Sequence, residues 1–169
     1  MSKLVCFSCG QSKATLKKDL HCGICQVLLC KDCTQFLEDS FFSFLKKVPD
    51  DLAHTTYCVA CYEQKVAPSI APYEEIMARA KDIYVFYKQD KNIPIIRSSK
   101  NKLIVADCPD RRETILRLAF FAAEQSSNAI IQVDLIPKKI RIDGYQTTSW
   151  SGTGFPAMIR ESRLVENIS

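Results

Sequence analysis

Residues 22–33 read CGICQVLLCKDC, four cysteines in twelve positions, set as two Cys-x-x-Cys pairs four residues apart. What those thiols do decides the fold, because a disulfide framework, a redox dithiol and a metal site make different demands on the remaining cysteines. Those are unevenly placed. Cys6 and Cys9 form a third pair, Cys58 and Cys61 a fourth, and of the nine cysteines only Cys108 lies beyond residue 61. Two residues between thiolates let both sulfurs of a tight turn reach one ion at about 2.3 Å, and structural zinc takes four such ligands in a closed tetrahedron. A lone pair would equally fit a thioredoxin-like centre. Four pairs in so short a segment predict two four-cysteine zinc sites.

Two pairings are open to eight ligands. A sequential arrangement gives the first two pairs one ion and the last two the other. A cross-brace interleaves them, with Cys6, Cys9, Cys30 and Cys33 as site 1 and Cys22, Cys25, Cys58 and Cys61 as site 2. The cross-brace is preferred: it accounts for the four-residue central spacer and ties the 24 residues before Cys58 back to the core.

Composition supports metal over disulfides. The N-terminus, MSKLVCFSCGQSKATLKK, has no apolar h-region or small-residue cleavage site. No apolar run approaches the ~18–20 residues that cross a bilayer. The expectation is a cytoplasmic protein, where thiols stay reduced. The formal charge of +4 counts neutral thiols; eight thiolates on two dications bring the holo chain near zero. Residues 1–70 carry 8 Lys/Arg against 7 Asp/Glu, so their metallated form is acidic, and a nucleic-acid footprint is not supported. Residues 1–33 hold few large apolar groups, and a unit of that size is marginal without staples. Zinc, worth on the order of 10 kcal/mol in finger peptides, would supply the folding energy.

The chain divides into a cysteine-rich domain, 1–66, and a second domain, 73–169, joined by VAPSIAP (66–72), whose prolines mark a boundary. No internal repeat is visible. Between the third and fourth pairs, Leu37, Phe41, Phe44, Leu45 and Val48 recur at helical spacing and predict an inserted helix over ~35–47, capped by Thr34 and stopped by Pro49. Phe36 and Phe42 lie off that stripe.

The core CGICQVLLCKDC, with the closing YCVACYEQKV (57–66), resembles the FYVE and FYVE-related zinc fingers over residues 6–65. That resemblance implies two cross-braced zincs and, in the family, binding of phosphatidylinositol 3-phosphate through a basic run ending at the third cysteine. Here the run reads LKKDLHC: Lys17, Lys18 and His21 fit, whereas Asp19 and Leu20 stand where a basic residue and a His belong. The upstream Trp-x-x-Asp element is missing. Phosphoinositide binding and RING-type ubiquitin ligation, another cross-brace activity, are therefore secondary readings.

Beyond residue 72, YEEIMARAK (73–81) reads as a helix, and IYVFY (83–87) and KLIVADC (102–108) as strands. Asp110 and Glu113 form a capping box opening a helix over 111–126. NAIIQVDLI (128–136) is a strand with Ile131, Val133 and Leu135 facing one way. Pro137 and the following lysines turn the chain, a hairpin or kink falls at Asp143–Gly144, and SGTGFPAMI is an edge strand because Pro156 cannot donate to a ladder. The result is a small α+β domain, an antiparallel-rich sheet with one long helix. It weakly resembles the YbjQ-like group of small bacterial domains, which implies oligomerisation through the sheet.

No catalytic constellation is found. The two histidines, His21 and His54, both fall in the first domain; the Gly-x-Gly of SGTGF opens no helix; and Cys108, near Asp107 and Asp110, has no base in sequence view. Trp150 and Tyr145 are expected in or beside the core. The reading is a non-enzymatic zinc protein with a protein partner, an adaptor or scaffold.

Overall fold

The computed structural model describes residues 5–11, 20–38, 42, 45 and 47–165. The chain separates into two compact units, Met1–Glu74 and Glu75–Ser169. Among the described residues no helix is long and apolar enough to cross a membrane.

The first unit is made of short pieces held at their cysteines. Strand β1 (Leu20–His21) pairs antiparallel with β2 (Leu28–Leu29). A 3-10 turn, Lys31–Cys33, leads into β3 (Thr34–Phe36), which pairs with β4 (Thr56–Cys58) so that Thr34 lies opposite Cys58. A second 3-10 turn covers Asp50–Leu52. After β4 come α1 (Val59–Cys61), a π-helical turn (Tyr62–Val66) and α2 (Ala67–Lys81). Cys22, Leu29, Leu37, Phe42, Leu52, Tyr57, Cys58, Val66 and Ile70 form the core.

Two expectations fail here. The helix over ~35–47 does not start at Thr34. That residue begins β3, and its hydroxyl donates to the Cys30 carbonyl at 2.8 Å instead of capping. Helical periodicity loses to the β3–β4 pairing, which carries the chain from Cys33 back to Cys58. The described residues of 37–48 are not helical; Phe41 and Phe44 lie outside the described residues. Phe42 is nonetheless buried and meets the edge of Tyr73, while Phe36 faces solvent. Nor does the helix read over 73–81 begin after VAPSIAP: α2 starts at Ala67 and runs through that stretch with Pro72 inside. Proline normally costs a helix interior about 3 kcal/mol. Here Val66 and Ile70 are buried in the core and Tyr73 packs on it, and that burial holds the segment helical.

The second unit is a five-stranded mixed sheet with one long helix. Strand β5 is Tyr84–Tyr87, β6 Ile95–Ser98, β7 Leu103–Cys108, β8 Ala129–Ile142 and β9 Tyr145–Ile159. The order is β5-β8-β9-β6, with β7 also on β9; β5 and β8 are parallel and the other pairs antiparallel. Helix α3 (Arg111–Glu124) packs on β7, β8 and β9, and a short α4 (Ser162–Val165) follows the sheet. Asp110 accepts from the Glu113 N–H at 2.7 Å. The Glu113 carboxylate turns to Arg117 Nε at 2.8 Å, so the capping box is made in one direction only. Leu118 and Phe120 are fully buried, each worth roughly 1.5–3 kcal/mol of transfer free energy.

Strand β8 differs from expectation in two ways. Gln132 has φ of 54° and lies within the register shift between Ile131 and Asp134. This bulge inverts the alternation: Ile130 and Val133 share the helix-facing side with Gly154, while Ile131 packs on the other face with Ala129, Ala157 and Ile159. Pro137 does not turn the chain but pairs with Trp150 inside β8, and the turn falls at Asp143–Gly144, both with positive φ. Nor is β9 an edge strand. Pro156 is tolerated because it lies where β9 changes neighbour, between Gly154 opposite Leu103 of β7 and Ala157 opposite Ser98 of β6. Its carbonyl still accepts from the Ser99 N–H at 2.8 Å. The glycines of SGTGF serve packing. A Cβ on Gly152 would lie 2.6 Å from Thr114 Cγ2, and one on Gly154 2.6 Å from Ile130 Cγ2.

Candidate metal centres

The eight cysteines of the first unit converge in two groups. The sulfurs of Cys6, Cys9, Cys30 and Cys33 all lie within 4.8 Å of one another, and so do those of Cys22, Cys25, Cys58 and Cys61. The Cys9 and Cys30 sulfurs are 3.7 Å apart, the Cys25 and Cys58 sulfurs 3.8 Å. Those separations are far beyond the ~2.05 Å of a disulfide bond. Four sulfurs at about 2.3 Å from one ion would stand about 3.8 Å apart at the tetrahedral angle. The donor set fits a metal.

The two groups share one local grammar that no sequence period reveals. In each, the first cysteine opens a tight turn: the Gly10 N–H donates to the Cys6 carbonyl and the Gln26 N–H to the Cys22 carbonyl, both at 2.9 Å. Gly10 and Gln26 take the same left-handed conformation, with φ of 69° and 62°. The residue after each first cysteine ties the turn to the strand before the third ligand, Phe7 N–H to the Leu28 carbonyl and Gly23 N–H to the Thr56 carbonyl. The first sulfurs are then circled by amides, Cys6 by those of Ser8, Cys9 and Cys30, and Cys22 by those of Ile24, Cys25 and Cys58. The site therefore repeats as a half-module, 6–11 with 28–33 and 22–27 with 56–61, although the residues between the cysteines do not.

Electrostatics within each group favours a cation. Burial opposes ionisation of Cys6 and Cys22, yet the surrounding amides outweigh it and bring both thiols down to about 6. Cys33 is pushed up to about 12, first by the Cys30 sulfur and then by burial and the other sulfurs. Cys61 is pushed up to about 12 by burial first and then by the Cys58 and Cys25 sulfurs. At Cys9 and Cys25 the amides of Gln11 and Val27 pull downward, but burial and neighbouring sulfurs leave the thiols raised. One thiolate per group forms readily and the last resists, because four anions this close repel one another. A bound dication reverses that balance.

Comparison of the chain with protein-family models, with curated proteins and with solved structures found no match.

The surroundings of the groups are unequal. Cys22 and Cys58 belong to the core with Tyr57, Val66 and Leu29. Tyr57 is fully buried; its hydroxyl donates to the His54 carbonyl at 2.7 Å and accepts from the His54 N–H at 3.1 Å. That clamp sets the His54 side chain over Gly23. The sequence marked neither role; a tyrosine one residue before a ligand was the available signal. His21 is exposed, with its carbonyl accepting from Thr56 Oγ1, and Lys17, Lys18 and Asp19 lie outside the described residues.

In the second unit Cys108 is buried, and its thiol donates to the Ala106 carbonyl at 3.6 Å. Asp107 takes a positive φ in the bulge of β7, and Asp110 is occupied as the cap of α3. Arg111 donates to the Tyr87 hydroxyl at 2.9 Å and sits over its ring. Trp150 is half-buried on β9, whereas Tyr145 is 80% exposed at the tip of the β8–β9 hairpin, away from any core.

Proposed function

We propose that the chain is a non-enzymatic zinc protein in which a FYVE-like cross-braced lobe, carried on two structural four-cysteine zinc sites, presents a binding surface for a protein partner. The single observation that carries this reading is the closure of both groups: four sulfurs mutually within 4.8 Å leave no ligand position for substrate or water. Thiolate donors favour zinc over hard cations. When bound, the ion supplies charge neutralisation and cross-linking, and the chain supplies the amides that hold the first sulfur of each set. Exposed Val5, Phe7, Phe36 and Val59 are apolar side chains that a partner can cover. The second unit, read as a YbjQ-like α+β domain, accompanies the lobe as a site of self-association, and a cytoplasmic setting suits the reduced thiols.

Metal analysis of the intact protein, purified under reducing conditions, tests the reading. Two zinc equivalents per chain are expected, with loss of amide protection in residues 20–74 when a strong chelator removes them. Far fewer than two equivalents, iron–sulfur absorbance, or a first unit that stays folded in chelator overturns it. The adaptor role predicts a partner captured by the intact protein and lost in a Cys22→Ser, Cys25→Ser form. Binding confined to vesicles containing 3-phosphoinositides, or ubiquitin chains that require a conjugating enzyme, would move the reading to the lipid or the ligase alternative.

A further inference from the structure

The two metal groups share a grammar but not a setting. At site 2 the turn 22–27 is built into the core: Cys22 is fully buried, Ile24 and Val27 pack against the core cluster, and Gly23 lies under His54 with its N–H held by the Thr56 carbonyl. The other half of site 2 runs from β4 into the helical segment anchored by Val66 and Ile70. Neither half can leave without opening the core. At site 1 the turn 5–11 is largely exposed. Of its seven residues Cys6 alone is buried; Phe7 is 73% exposed, and a Cβ on Gly10 would meet nothing within 4 Å. Apart from a shared ion, the links from this turn to the rest of the lobe include the Phe7 N–H to the Leu28 carbonyl and the Cys30 N–H to Cys6 Sγ.

We infer that the two sites are functionally unequal: site 2 is the permanent structural metal, and site 1 is an exchangeable one, released when the turn carrying Cys6 and Cys9 lifts away while the core stays folded. Segments with few buried contacts open at lower free energy than the global transition. Lifting this turn withdraws two of four ligands at once. Site 1 occupancy thereby decides whether residues 5–11, with exposed Val5 and Phe7, are docked on the lobe. The inference rests on the zinc reading above and adds a regulatory role to one of its two ions.

The test follows zinc leaving the intact two-zinc protein into an excess of a chromophoric chelator. Two phases of one equivalent each are expected, with rate constants separated by roughly tenfold or more. Cys9→Ser should purify with one equivalent, lack the fast phase, and keep the Tyr57 and Val66 amides protected in hydrogen exchange. Cys25→Ser should lose both ions and that protection. Release of both equivalents in a single phase overturns the inference, as does a Cys25→Ser protein that holds the site 1 metal alone, or a Cys9→Ser protein that loses both ions or keeps both. A wild-type protein that never carries two zinc equivalents refutes the zinc reading itself, so the two failures are told apart before any chelator is added.

Discussion

A methyl group on Gly23 would lie 2.3 Å from the Cβ of His54 and 2.2 Å from its Cγ. No rotamer of His54 relieves the first contact, since a Cβ moves only with its backbone. Reaching an ordinary separation requires shifting one of two segments by about an ångström, and both are pinned. Gly23 is tied to the Thr56 carbonyl and flanked by Cys22, while His54 is clamped at both backbone groups by Tyr57, whose neighbour is Cys58. Overpacking in such a place costs about 1–3 kcal/mol. For a unit of this size each kcal/mol shifts the melting point by about 4–8 °C, so Gly23→Ala should lower it by roughly 4–24 °C at fixed zinc. The order of rescue is specific. His54→Ala should leave most of the loss in place, because the offending Cβ remains, and His54→Gly should recover it. Gly10→Ala, with no neighbour to strike, should cost only the left-handed conformation, about 1–2 kcal/mol. Thermal melts with zinc release recorded in parallel read all four proteins. A Gly23→Ala protein as stable as wild type, or full rescue by His54→Ala, would refute the claim that this contact seats site 2.

Three further outcomes are expected. Tyr57→Phe removes the hydroxyl that serves both backbone groups of His54, and a loss of about 1–3 kcal/mol should appear in denaturant titration with zinc held constant. Asp110→Ala deletes the cap of α3 and should lower stability of the second unit by about 0.5–2 kcal/mol, with Asp110→Ser restoring most of it in the same melts. Asn128→Ala removes a side chain that accepts from the Ile159 N–H and donates to the Ile159 carbonyl and Glu161. Faster hydrogen exchange at Ile159 should follow, while exchange at Leu118 stays unchanged.

Cysteine spacing made the two four-sulfur groups legible, because a Cys-x-x-Cys turn has a short reach and eight donors satisfy two tetrahedra. Local chemistry also fixed the start of α3, where Asp110 and Glu113 act within one turn, and the strands rich in β-branched residues. What stayed hidden depends on contacts distant in sequence. Gln35 and Phe36 lie in a strand because Thr34 must meet Cys58, a pairing invisible to a window of neighbours. Pro72 remains helical because Val66 and Ile70 are buried in a core built by other segments. The inverted facing of Ile131 and Val133 comes from one bulged residue, Gln132, whose conformation is set by β9 opposite it.

The same distinction explains why the half-modules form no repeat in the sequence. What they have in common is backbone geometry: a carbonyl reached by an amide four residues on, a left-handed residue, and a strand two residues before the third ligand. Gly10 and Gln26 meet that requirement with unlike side chains, as do Phe7 and Gly23. Backbone amides constrain residue identity weakly, so the symmetry lies in the hydrogen bonds and not in the letters. Where identity does matter, the halves diverge for a physical reason. The residue after the first ligand is glycine where His54 covers it and phenylalanine where solvent does, and that difference goes with a turn packed into the core at site 2 and an exposed turn at site 1.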